Sequence, residues 1–342
     1  MAALLAGSTY AQTGVTIFGV IDSGIEIVNN APDVNGNPSR LIHHNSGNMW
    51  GSRWGLHGRE DLGDGLHAVY HLESGFVADT GVSSHNGRLF GRKAYVGLAG
   101  KFNSVTVGRH LNVLFDVIYP FDPLGMASYS TLTHDPAFSQ RADNSVKYKG
   151  KFKDVAVTGL YSLGYDGTIK DGGEMAGAPK VGRELGAGLL YTPGPLGIGL
   201  VFDQRNGSSY DSREQAEKRL AAAISYTAGA LTSYLGYRRL ESDLANAPGT
   251  SDFYWGGLKY QASSAITIAG MAGYTDTKAS NADPATFALL GTYDLSKRSS
   301  LYLLASYARN RGGSNMGVNG IDDQIVPGNN QSGMIAGIFH KF

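Results

Sequence analysis

The side chains best suited to chemistry in this chain are its nine histidines, and their spacing excludes more than it supports. His67 and His71 stand four apart, a metal-binding interval on a helix. The residues around them alternate as in a strand, where four residues span about 13 Å, so the pair cannot share one ion. His43 and His44 fall in a polar stretch, Asn29 to Gly47, that reads as a loop with solvated histidines. Cysteine is absent, which removes thiolate zinc sites, thiol nucleophiles and disulfides. The sequence contains no phosphate-binding glycine loop, dinucleotide fingerprint, His-Glu-x-x-His helix or Gly-x-Ser-x-Gly elbow. No Ser, His and Asp stand out as a catalytic set. No catalytic residue, metal or cofactor is therefore expected. What remains is the chemistry of fixed charge: arginines and acids that could face one another across water.

Composition narrows the setting. Charged residues make up 17% of the 342 and balance to zero net charge, so the basic excess that neutralises nucleic-acid phosphates is missing. No apolar run approaches about 18 residues, which excludes helical membrane spans but not a barrel, whose strands hide their apolar face in every second residue. Ala2 to Gly7 is a short apolar stretch, and Thr9-Tyr10-Ala11 before Gln12 has the small-x-small form of a signal-peptidase site. Residues 1–11 are thus expected to be the tail of a cleaved export signal, and 12–342 a single domain.

The elements that must position any charges follow a period of two. Val15, Ile17, Gly19 and Ile21 alternate with Thr16, Phe18, Val20 and Asp22, and Leu66, Ala68, Tyr70 and Leu72 with His67, Val69, His71 and Glu73. One face suits lipid, and the other is polar or small. Tyr191, Tyr226, Tyr260, Tyr274, Tyr293 and Tyr307 recur near segment ends, where aromatic girdles sit at membrane interfaces. Short turns such as Leu62-Gly63-Asp64-Gly65 alternate with long polar loops such as Asp166 to Val181 and Arg311 to Gln331. Segments of this kind number about sixteen, enough for a barrel with an aqueous lumen.

One connection differs. Asn112 to Asp143 (112–143) is apolar and aromatic and carries Pro120, Pro123 and Pro136. A loop of this composition must pack on something, and inside a barrel it would fold inward as a constriction. Asp116 and Asp122 on it are candidate acids of a pore, Asp22 on the first strand is a secondary one, and Asp135, before Pro136, reads as a turn acid. The last strand alternates to Phe342 and is expected to pair with the first, leaving no edge in lipid.

The stretches Ser52 to Phe76 (SRWGLHGREDLGDGLHAVYHLESGF), Gly87 to His110 (GRLFGRKAYVGLAGKFNSVTVGRH) and Asp294 to Tyr302 (DLSKRSSLY), with the ending GIFHKF, resemble the general porins of betaproteobacteria. The resemblance implies a sixteen-stranded antiparallel transmembrane β-barrel in the bacterial outer membrane, a homotrimer with an inward-folded third extracellular loop, and passive passage of small hydrophilic solutes and ions. It further implies that Phe342 is a signal for the barrel-assembly machinery and that lipopolysaccharide surrounds the wall. Carried over by motif, Arg53, Arg92 and Arg141 form the basic wall of the constriction, facing Asp116 and Asp122, with Asp22, His57 and Arg109 as further lumen candidates. Alternation supports an inward Arg53. Arg92 and Lys93 are adjacent, so Arg92 is placed inward and Lys93 outward at the subunit contact. Phe339 stands where relatives often carry a basic residue, and His57 and Arg59 flank Gly58 where members vary. Wall arginines predict a mild anion preference despite zero net charge. The competing readings are a substrate-specific channel for carboxylates or sugars on the same barrel, a barrel enzyme, and a soluble all-β binding protein.

Overall fold

The computed structural model describes residues 14–169, 173–245, 249–278 and 280–342; the expected signal-peptide tail lies outside them. The strands are β1 (Gly14–Pro32), β2 (Pro38–Ser46), β3 (Arg53–Gly63), β4 (Leu66–Gly75), β5 (Lys93–Ala99), β6 (Asn103–Leu111), β7 (Arg141–Phe152), β8 (Val155–Ser162), β9 (Glu184–Tyr191) and β10 (Leu196–Asn206). They continue with β11 (Ala216–Ala228), β12 (Leu231–Ser242), β13 (Ser251–Gln261), β14 (Ile266–Thr277), β15 (Ala285–Asp294), β16 (Ser299–Arg309), β17 (Met316–Gly317), β18 (Gly320–Ile321) and β19 (Gln331–Lys341).

Each strand pairs antiparallel with its neighbour. β1 meets β3 from Gly14↔Arg59 to Val20↔Arg53 and β2 from Ser23↔Ser46 to Val28↔Leu41. β2 and β3 are therefore two halves of one stave, interrupted by residues 47–52. β17 and β18 form a small hairpin outside the wall ladder. The wall is thus a closed barrel of sixteen antiparallel staves, as the alternation predicted.

Closure is made by β19, which pairs with β16 on one side and with β1 from Val20↔Lys341 to Val28↔Gly333 on the other. The Phe342 N–H donates to the Gly19 carbonyl at 3.1 Å, the Gly19 N–H donates back to the Phe342 carbonyl at 3.0 Å, and the Phe342 ring lies over Gly19. Every wall strand then has a partner on both sides, the condition for spanning hydrocarbon.

The faces sort as period two requires. Val15, Ile17, Ile21, Ile25 and Ile27 point outward and are exposed, while Asp22 and Glu26 between them are buried. The turn after β3 places Asp64 and Gly65 at positive φ, 52° and 75°, the backbone that a tight hairpin needs. One expectation fails here: most of Asn29 to Gly47 is strand rather than loop. The only large apolar residues of β2, Leu41 and Ile42, are adjacent and so fall on opposite faces, leaving no hydrophobic alternation to betray the strand. His43 accordingly lies 2.8 Å from Glu26, and His44 2.6 Å from the Ser23 hydroxyl.

Candidate functional site

The segment between β6 and β7, residues 112–140, is the largest feature not in the wall. It opens with α1 (Val113–Ile118), capped by Asn112, whose side chain accepts the Phe115 N–H at 3.0 Å and donates to the Ala137 carbonyl at 2.7 Å. Val113 and Val117 close against Gly186 and Gly188, Phe121 against Gly197 and Gly199, and Pro123 against Gly257, positions where an added Cβ would overlap the loop. The glycines on these strands are explained by this close approach. They alternate with exposed outward residues such as Leu200, Tyr254 and Leu258, so the segment packs on the opposite strand face.

Polar anchors fix it there. The Trp255 indole donates to the Phe121 carbonyl at 3.1 Å and the Tyr129 hydroxyl to Glu26 at 2.6 Å. The two ring nitrogens of His134 lie 2.8 Å from the hydroxyls of Thr275 and Thr286. Burial, reinforced by Arg238, pushes the His134 pKa down to about 3, so it is held as the neutral imidazole. Asp135 caps the following turn through the Ala137 N–H and pairs with Arg219 at 2.9 Å and Arg238 at 2.8 Å. Burial opposes its charge, but the two guanidinium groups hold its carboxyl below the usual range.

The two acids expected to face the arginines do not. The Asp122 carboxylate is buried within the segment, accepting the N–H groups of Leu124 at 2.7 Å and Thr131 at 3.1 Å and the Thr131 hydroxyl. It is a turn-former, whose pKa burial pushes up. Asp116 sits on α1 between Lys147 at 2.6 Å and Lys149 at 2.9 Å, away from the arginines.

The acid that meets them is Glu73 on β4. It lies 2.5 Å from Arg92, 3.3 Å from Lys93 and 3.6 Å from Arg53. Alternation already places Glu73 on the inner face, but the motif points to the loop instead. Lys93 therefore points inward rather than to a subunit contact. Arg92 precedes β5, so the strand rule that separates adjacent residues does not govern the pair. Arg141 donates to the carbonyls of Arg92 at 3.1 Å and Ser139 at 3.3 Å. Arg109 donates to the Gly91 carbonyl at 2.7 Å and pairs with Asp143.

Asp22 is fully buried and shapes the break between β2 and β3. Its carboxylate accepts the N–H groups of Met49 at 2.6 Å and Trp50 at 2.8 Å and the Tyr302 hydroxyl at 2.6 Å, turning Trp50 inward. His57 joins a row of rings across five strands: Phe18, His57, His71, Tyr95 and His110, with successive centroids 4.7–5.9 Å apart.

Three of the cavities beside the segment run in series, and a fourth, about 440 Å³, lies against β11 to β14 with Arg219 and Arg238 beside Asp135 and Glu217. The outer one, about 440 Å³, is lined by Arg88, Arg109, Arg141 and Arg205 with Asp166. The middle one, about 580 Å³, is lined by Arg53, Arg92, Lys93 and Arg141 with Glu73. The inner one, about 680 Å³, is lined by Arg59, Lys93, Lys147 and Lys149 with Asp116. The first two share His85, Ser139 and Arg141, and the last two share His71, Lys93, Leu111 and Phe115. His85 contributes no charge near neutrality, because burial and then Arg141, Arg92 and Arg109 push its pKa down to about 3.

A closed barrel, apolar outside and crossed by a connected polar path, is a transmembrane channel. The chain belongs to the Gram-negative porin family, whose sequence model matches residues 1–313. It is 32% identical to an outer membrane porin protein of Bordetella pertussis over 90% of this chain and 93% of that one. Outer membrane porin protein 32 of Delftia acidovorans is 27% identical over 98% and 96%. The anion-selective porin from Comamonas acidovorans superposes with a TM-score of 0.78 at 25% identity, covering 97% of this chain and all of that one. The protein is thus an outer-membrane porin, a water-filled channel for passive diffusion.

Proposed function

We propose that the channel prefers anions and is narrowest where the inward-folded segment 112–143 meets Arg53, Arg92, Lys93 and Arg141. The observation that carries this reading is the charge along the path. Ten cations line the three cavities against three acids. Counting Asp143 and Glu184, which pair with Arg88, Arg109 and Arg205, raises the acids to five. The chain as a whole is neutral, so the excess is concentrated in the lumen, where it raises the local concentration of anions. The loop packing on the inner glycines supports the same reading, as does the likeness to the anion-selective porin from Comamonas acidovorans. Passage is downhill and uses no energy source.

Membership of the family supports three copies in the outer membrane among lipopolysaccharide, and the aromatic Phe342 on the closing strand suits recognition by the barrel-assembly machinery. Reversal potentials across planar bilayers under a potassium chloride gradient test the central reading: a sign favouring chloride is expected, and a sign favouring potassium overturns it. On an unheated detergent gel the assembly should run as a large species that collapses on boiling.

A further inference from the structure

The middle cavity has two unlike sides. On the wall side stand Arg53, Arg92, Lys93 and Arg141. On the other, the Phe115 and Tyr119 rings stack with centroids 5.1 Å apart and planes 20° apart, while the Trp50 ring meets both sides, 6.0 Å from Tyr119 and 5.5 Å from the Arg53 guanidinium. These three rings are only partly buried, whereas the apolar side chains beside them on the segment, Val113, Leu114, Val117, Ile118 and Phe121, are fully buried against the wall. Simple ions gain from the cations but nothing from aromatic faces turned to the water path. The cations are also not equally engaged. Arg92 and Lys93 hold Glu73 at 2.5 and 3.3 Å, while Arg141 donates to backbone carbonyls and no ion pair to a carboxylate is found for it among the described residues. Its guanidinium keeps unused donors in a fork that fits a carboxylate bidentately.

We propose that this slot is a binding subsite for aromatic carboxylates, the ring stacking on Phe115 and Tyr119 and the carboxylate meeting Arg141. A cavity of about 580 Å³ is of the size that small-molecule sites occupy and holds a single-ring acid with water. Weak capture there speeds rather than stops passage, because a solute that binds lightly at the narrow point enters more often than a simple ion. The proposal rests on the middle cavity being the narrow part of an anion-preferring pore.

The test is block of the chloride current in planar bilayers by sodium benzoate, cyclohexanecarboxylate and acetate. Benzoate is expected to halve the current at a concentration about fivefold below that of cyclohexanecarboxylate, with acetate weakest, because stacking rewards the flat ring beyond its apolar area. Phe115→Leu together with Tyr119→Leu should erase the benzoate advantage. Equal potency of benzoate and cyclohexanecarboxylate, or an advantage that survives in the double variant, overturns the inference. The reversal potential of the same membranes is read separately. A pore without anion preference overturns the pore reading whatever the acids do, and an anion-preferring pore that ranks the acids equally overturns only the subsite.

Discussion

The two halves of the barrel obey the same alternation and yet have opposite interiors. On β3 to β7 the inner face carries Arg53, Glu73, Lys93, Lys147 and Lys149 and a row of rings, and it lines the water path. On β9 to β19 the inner face is glycine, buried apolar residues such as Phe253, Trp255, Leu304 and Ile335, or buried charges such as Glu184, Asp203, Arg219 and Arg238. What differs is the cover. Where the 112–140 segment lies on the wall, inward positions become a protein core, and where it stands off, they become a lumen. Inward and wet are separate properties, and only the first is set by the strand period. Arg219 and Arg238 on the covered half hold the segment through Asp135, as Lys147 and Lys149 do through Asp116, whereas Arg53, Arg92 and Arg141 on the open half line the middle cavity.

The sharpest way to break this comparison is Asp135→Ala. It leaves Arg219 and Arg238 buried without their shared carboxylate, a loss of about 3–5 kcal/mol. The folded band should convert to the unfolded one at a lower temperature on gels, and the current should grow noisier as the segment loosens. If ion preference vanished while thermal stability held, the division of labour would be wrong.

Acid should act on the same half. His134 has its folded pKa lowered from 6.5 to about 3, so the unfolded chain binds a proton that the folded one does not. Stability is then full above the unfolded value and falls as pH drops from about 6.5 toward 3, by up to about 1.4 kcal/mol per pH unit. Urea unfolding in this window should show the slope, and His134→Gln should flatten it.

Smaller effects belong to the open half. Glu73→Gln removes the acid of the middle cavity and should raise the chloride-to-potassium permeability ratio by roughly twofold. A fall in that ratio would mean that Glu73 serves mainly to hold the arginines in place. Smallest is Asp122→Asn, expected to cost about 1 kcal/mol of stability and to leave the reversal potential unchanged, because its carboxylate is spent inside the loop.

Much of this was legible in the sequence. Alternation, girdle tyrosines and the closing strand to Phe342 specified the barrel, and the apolar composition of 112–143 marked a segment that had to pack on something. Two things were hidden, for physical reasons. The outer half of the second stave has no alternating apolar face, since its two large apolar residues, Leu41 and Ile42, are adjacent, so Pro38–Ser46 passed for loop. The partner of the arginines was sought on the loop by motif, although the strand period already put Glu73 inward. Which groups Asp116 and Asp122 meet depends on how the segment turns. Sequence spacing does not reveal that Asp122 accepts the Leu124 and Thr131 N–H groups.

The central claim, that the basic wall of the open half sets the preference, is tested most directly by the reversal potential of the combined Arg53→Gln, Arg92→Gln and Arg141→Gln variant. With those three gone, Lys93 and Glu73 remain as a balanced pair at the middle cavity. The potential should then move well toward the value set by the mobilities of the free ions, the remaining preference coming from the cations of the outer and inner cavities. A variant that folds and prefers chloride as strongly as the parent would contradict the account.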